Sequence, residues 1–225
     1  AQATINTPFG DPYAANARLM MHFDGADNGT TFTDAFGATG TRTGTPVTVQ
    51  TPGPVFGNAS GKFGSNGYIT VTPCPFTGIA NGASYTLEFR FKSLTWSAGD
   101  HQMFCAICGT QFIIGAQASG SFMDFFFEQY GSGWTTLHGV SSILTTDTNW
   151  HHFEVGCDGT NTRLFIDGTL LATHVGAVNI GSTGPYTIGD RGAGTPGGQW
   201  LIDEHNLIVG ACRHTASFTP YTAPY

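Results

Sequence analysis

Between Trp150 and Thr173 the chain reads WHHFEVGCDGTNTRLFIDGTLLAT, with Asp-Gly steps at Asp158-Gly159 and Asp167-Gly168, each set between short runs of apolar alternation. Asp followed by Gly supplies the positive φ angles of a type I′ turn, so each step predicts a tight hairpin. Three strands joined by two such turns make an antiparallel meander. That commits the second half of the chain to a sheet whose neighbouring strands are also neighbours in sequence.

The rest of the chain follows the same period. In SYTLEFRFKS, residues 84–93, Tyr85, Leu87, Phe89 and Phe91 point one way, while Thr86, Glu88, Arg90 and Lys92 point the other. Such alternation predicts one face in a core and one in water. HQMFCAIC, QFIIGAQA, SFMDFFFEQY and WTTLHGV follow at intervals of about ten residues, the spacing of a sandwich. No window carries sustained helical periodicity with caps. The 225 residues, 32 of them glycine, therefore predict an all-β antiparallel sandwich or barrel in a single domain. Its expected parts are a polar N-terminal arm (1–16), a sandwich (17–211) opening with the strand ARLMMHF, and a C-terminal strap (212–225). Residues 40–60, with Pro46, Pro52 and Pro54, suit edge strands and irregular connections.

A net charge of −7 with 8 Lys and Arg leaves no basic stripe for phosphates, so nucleic acid is not an expected partner. No apolar run approaches the length of a spanning helix, so no membrane partner is expected, and the polar N-terminus does not read as a signal peptide. The five cysteines (Cys74, Cys105, Cys108, Cys157, Cys212) cannot all pair within one chain. They read as small buried apolar residues of a protein folded in a reducing cytoplasm, with an intermolecular disulfide through Cys212 as the alternative.

Five groups of residues bear on chemistry. Asp124 and Glu128 share one face of SFMDFFFEQY with Phe126, but their backbones lie about 13 Å apart. Glycosidase carboxyls stand roughly 5–5.5 Å or 6.5–9.5 Å apart, so the pair reads as strand acids in solvent and no catalytic residue is assigned. Cys105-Ala-Ile-Cys108 lacks a second ligand pair for zinc and reads as core packing. His151 and His152, adjacent on a strand, face opposite sides and read as structural. The loop after the first strand offers Asp24 with loop carbonyls, and Asp203 on the last core strand approaches it if the two strands pair. Asp24 and Asp203 are thus candidate ligands of a structural calcium, the alternative being an Asx-type turn in which Asp24 and Asn28 accept backbone amides. Trp96, Tyr130, Trp134 and Trp200, beside glycine-rich loops, are candidate platforms for sugar rings.

GKFGSNGYITV, SYTLEFRFK, NWHHFEV, TRLFIDGTLLA, YTIG and GQWLIDEHNLI occur in the order found in laminin-G-like, concanavalin A-like jelly rolls, and the chain resembles that family along nearly its whole length. The resemblance narrows the expected fold to an all-β, two-sheet antiparallel jelly-roll sandwich. The two ends, DPYAANARLMMHFDGADNGTTFTD and ACRHTASFTPYTAPY, are similar to the version found in tailed-bacteriophage virion proteins. One departure is Asp203-Glu204-His205-Asn206-Leu207, where the family's usual Asp-Glu-Val-Arg-Ile carries a basic residue. The resemblance implies a non-enzymatic virion structural protein, a head or neck decoration or a tail-fibre module. It would fold in the host cytoplasm, then join capsid, neck or tail proteins, associate as a homo-oligomer and present its loops to a host-surface glycan. A glycan-active hydrolase or lyase on the same fold, and a receptor-binding lectin, are the alternatives.

Overall fold

Tyr85, Leu87, Phe89 and Phe91 are buried between two antiparallel sheets, as their alternation requires. The computed structural model describes residues 12–64, 67–96, 102–107, 112–129, 135–181, 184–189 and 198–224. The strands are β1 (Ala17–Met21), β2 (Phe32–Thr33), β3 (Thr39–Thr43), β4 (Val47–Val49), β5 (Ser60–Phe63), β6 (Tyr68–Thr72), β7 (Tyr85–Thr95) and β8 (Gln102–Ile107). They continue with β9 (Phe112–Ser119), β10 (Phe122–Gln129), β11 (Thr135–Leu144), β12 (Trp150–Cys157), β13 (Asn161–Ile166), β14 (Thr169–Val175), β15 (Tyr186–Gly189) and β16 (Gln199–Val209). Sheet A runs β14-β13-β12-β7-β16-β5-β4, with β1 also paired to β16, and sheet B runs β11-β10-β9-β8-β15-β6-β3-β2. Among the described residues the one helical piece is a 3-10 turn at Ala14–Asn16.

Inward residues of the two sheets meet in an aromatic core. Phe89 stacks on Phe153 with centroids 4.8 Å apart, and Phe104 meets Trp200 edge-on at 4.8 Å. Each such buried ring contributes roughly 1.5–3 kcal/mol. Trp200 is therefore a core residue, which removes it from the candidate sugar platforms. Trp96 packs edge-on against it, and Tyr130 and Trp134 lie outside the described residues.

The predicted meander is β12-β13-β14. Asp167 and Gly168 have φ of 48° and 73°, as a type I′ turn needs. The other turn differs from expectation. Three residues separate β12 from β13, and of the Asp158-Gly159 step only Gly159 has a positive φ. Asp158 Oδ1 accepts from the amides of Thr160 and Asn161 at 2.8 and 2.7 Å, so its side chain caps the turn.

Two features reshape sheet A. A bulge in β16 between Asp203 and Asn206, with Glu204 at φ 50°, turns His205 into the core and Asn206 outward beside Glu88. The C-terminal segment then crosses the outer face of the sheet. Phe218 N donates to Gly168 O at 2.9 Å, Leu170 N donates to Ser217 Oγ at 3.1 Å, and Arg90 donates to Tyr221 O. The outer face of β7 is consequently not in water as its alternation predicted, for Thr86 and Glu88 are fully buried beneath this strap.

Candidate functional site

The outer face of sheet B carries polar groups that, among the described residues, no other segment neutralises with Lys or Arg. Cross-strand register sets Asp124 on β10 beside Gln117 on β9 and Val140 on β11, and Phe126 beside His138. Phe126 is buried on this face with Ile113, and the His138 ring lies 5.7 Å from it at 33°. The imidazole bridges the two acids: Nδ1 lies 3.1 Å from Asp124 Oδ2, and Nε2 lies 3.2 Å from Glu128 Oε1. Gln117 Nε2 donates to Asp124 Oδ2 at 2.8 Å. Asp124 is only 8 % exposed, so its expected place in open solvent is corrected. Its position between three strands, each contributing a side chain to the same face, shields it. The His138 side chain remains 34 % accessible, and Val140 and Leu144 on β11 and Phe122 on β10 are exposed nearby. The two carboxylates stand roughly 8 Å apart, the span of two hydrogen bonds and the ring between them.

A second polar group lies beneath the strap. Glu88 on β7 and His152 and Glu154 on β12 are fully buried. Their ligand atoms fall within 4.8 Å of one another, close enough to share a cation. The strap already supplies one: Arg213 Nε lies 2.8 Å from Glu88 Oε1, and His214 Nδ1 lies 2.9 Å from Glu154 Oε2. His152 Nε2 lies 3.2 Å from Glu88 Oε2. Burial, with the Glu88 charge beside it, pushes the Glu154 carboxyl well above the usual range. Tyr13 packs against the Arg213 guanidinium, and Asn16 Nδ2 donates to Val209 O, so both ends of the described chain meet here. This cluster is a latch that holds the strap down.

Asp24 and Asp203 are brought to the same loop because β1 pairs with β16. Both turn onto the loop at 55–59. Asp24 Oδ1 accepts from Asn58 N and Ala59 N at 2.6 and 3.3 Å. Asp203 Oδ2 accepts from Val55 N and Phe56 N at 3.0 and 3.3 Å, and Oδ1 from Glu204 N at 3.0 Å. Burial, reinforced by the neighbouring Glu204, pushes Asp203 up to about 8, so it holds a proton at neutral pH. The groups gathered on these carboxylates are peptide N–H donors, whereas calcium takes an oxygen cage. The residues fit amide capping and do not fit the calcium expectation.

His151 and His152 face opposite ways, as their adjacency requires. His151 Nδ1 lies 2.8 Å from Asp167 Oδ2, and His152 lies under the strap. The Cys105 and Cys108 side chains lie outside the described residues. Cys157 is buried and free, and burial pushes the Cys212 thiol up to about 11. Sequence reasoning misses Gln117 and His138 because their relation to Asp124 exists only through strand register.

No curated protein sequence matches the chain. Several solved structures share its fold. The binding domain of botulinum neurotoxin DC in complex with SialylT aligns at a TM-score of 0.61 with 15% identity, over 86% of this chain and 47% of that one. Botulinum neurotoxin type C, whose cell entry is dependent upon interaction with two ganglioside molecules, aligns at 0.63 with 14% identity, over 88% and 48%. The chain thus spans about half the length of these toxin chains. Domain 4 of AbnA, a GH43 extracellular arabinanase from Geobacillus stearothermophilus in complex with arabinotriose, aligns at 0.58 with 18% identity, over 88% and 94%. The family model for the concanavalin A-like lectin/glucanases superfamily matches residues 63–211. With β6 through β16 inside that match and the two-sheet sandwich around them, the chain belongs to the concanavalin A-like lectin/glucanases superfamily.

Proposed function

We propose that this chain is a non-enzymatic glycan-binding module carried on a bacteriophage particle, with the outer face of sheet B as its ligand face. The observation that carries the glycan reading is the Gln117–Asp124–His138–Glu128 array beside exposed Val140 and Leu144. Carboxylate and amide groups take hydroxyls, and a flanking apolar strip takes the C–H face of a sugar. The neighbours with arabinotriose and SialylT in their names lend the fold a precedent for such ligands. The opposite face of the sandwich is closed by the strap, whereas on sheet B, among the described residues, Val140, Leu144 and Phe122 stay exposed.

The virion context rests on the resemblance of residues 11–34 and 211–225 to phage virion proteins. In the structure these segments supply, besides β2 at the edge of sheet B, β1 and the strap on the sheet A side. The proposal puts attachment to capsid, neck or tail proteins, and homo-oligomer contacts, on that side, after folding in the host cytoplasm.

One observation favours the hydrolase alternative: a separation of roughly 8 Å lies within the inverting window. The imidazole of His138, however, fills the gap where an inverting enzyme holds its water. The test is a glycan-panel binding measurement on wild type, Asp124→Asn and His138→Ala, paired with a reducing-sugar assay. Saturable binding lost in both variants, without sugar release, supports the module. Sugar release abolished by Asp124→Asn or Glu128→Gln replaces it with a hydrolase. Immunogold microscopy of phage particles tests the virion context, and absence of label from every particle removes it.

A further inference from the structure

The sign of the charge on the ligand face restricts which sugars it accepts. From Lys92 to Arg163 the sequence contains no intervening Lys or Arg. That span includes all of β8, β9, β10 and β11, the half of sheet B that carries Asp124, Glu128 and His138. Proteins hold sugar carboxylates and sulfates with Arg, Lys, helix N-termini or free backbone amides. Neither of the first two exists on these strands, and the described residues form no α-helix. The strands β9 and β10 pair on both sides, which commits their amides to ladders. His138 is the cationic-capable group there, and both of its ring nitrogens already face carboxylates.

The face is instead rich in acceptors. Asp124 is nine-tenths buried, and its Oδ1 has no hydrogen-bond partner among the described residues. That oxygen is also shut off from solvent, so the acceptor a ligand hydroxyl or ammonium reaches on this face is the partly exposed Glu128 carboxylate. Val140, paired with Asp124 in the register and 53 % exposed, offers apolar surface directly beside it.

We propose that this face selects glycans by charge, binding neutral or amine-bearing sugars and rejecting those with carboxylate or sulfate groups, because among the described residues Asp124 and Glu128 have no Lys or Arg beside them. The inference rests on the glycan reading above. Placing one ligand carboxylate about 5 Å from both side chains weakens binding about tenfold even at the dielectric constant of water. Salt screens the penalty, so the discrimination shrinks as ionic strength rises.

The experiment is binding of the full chain to a printed panel of neutral, amine-bearing, sialylated, uronate and sulfated glycans at low and high salt. Expected hits are neutral or amine-bearing, and Glu128→Gln raises the ratio of acidic to neutral signal for those same hits several-fold. Acidic glycans bound as well as their neutral counterparts at low salt, or no gain in Glu128→Gln, overturns the selectivity while leaving a glycan-binding protein. Binding to nothing on the panel overturns the glycan reading, and the selectivity with it.

Discussion

Arg213→Met tests whether the strap is held by charge. Arg213 Nε stands 2.8 Å from Glu88 Oε1, with side-chain exposures of 1 % and 0 %. Removing the guanidinium leaves Glu88 buried without its strap cation, a change that typically costs about 3–5 kcal/mol. His152 stays 3.2 Å from the other Glu88 oxygen, which places the expected loss in the lower part of that range. For a chain of 225 residues, at about 2–4 °C per kcal/mol, a loss of about 3–4 kcal/mol lowers the melting temperature by roughly 6–16 °C. Glu88→Gln/Arg213→Met removes both charges together. Because desolvation offsets most of a buried ion pair's attraction, the double variant recovers more than half of the single variant's loss. Urea and thermal melts followed by circular dichroism measure all three proteins, and limited proteolysis after 211 reports strap release. A loss below about 1 kcal/mol for Arg213→Met, or additive losses in the double variant, refutes the latch.

The remaining predictions concern pH and backbone. Burial lowers His205 to about 3, and its Nε2 pairs with Tyr186 OH at 2.7 Å. Since the unfolded chain takes up this proton near pH 6.5 and the folded chain does not, its contribution to stability is present above about pH 6.5. It is lost as pH falls toward about 3, by about 1.4 kcal/mol per pH unit. Tyr186→Phe removes the partner and costs about 1–3 kcal/mol at about pH 7, read by chemical denaturation. Asp203 has the opposite sign: raised to about 8, it favours the folded state fully below pH 3.8 and loses that contribution as pH rises to about 8. Asp203→Asn therefore flattens the decline of stability between about pH 5 and 8 in a series of melts, and a chelator leaves the wild-type melting temperature unchanged. An unaltered slope counts against the raised Asp203 carboxyl, and a drop with chelator counts against amide capping. At Gly168, φ is 73° and an added Cβ would collide with Phe218 O, so Gly168→Val lifts the strap and speeds cleavage in the tail. Cleavage no faster than in wild type contradicts the packing.

Much of the fold is legible in the sequence because its signals are local. The alternation of Tyr85, Leu87, Phe89 and Phe91 names one face of β7, and Asp167-Gly168 names a turn with the φ angles found there. Pairing of β1 with β16, which the sequence leaves as a condition, is supplied by the fold. The site is less legible. Asp124 and Glu128 stand out in the sequence, but a single strand gives only the distance along itself, and the residue that links them, His138, stands on the next one. Trp200 beside a glycine-rich loop reads the same whether it faces sugar or core.

Residue order alone determined the all-β class, the meander and the single domain, because period-two patterning and turn chemistry act between near neighbours. Tertiary structure alone decided which polar residues are covered and by what. Glu88 and Asp124 cannot be told apart by pattern, since both sit at outward positions of regular strands. Glu88 is sealed because the strap from 211 onward crosses its face and brings Arg213. Asp124 receives no cationic cover of that kind among the described residues, and meets a glutamine and a histidine from its neighbouring strands instead. Burial and charge compensation belong to what a distant segment lays on a strand, and that is settled only when the chain has folded.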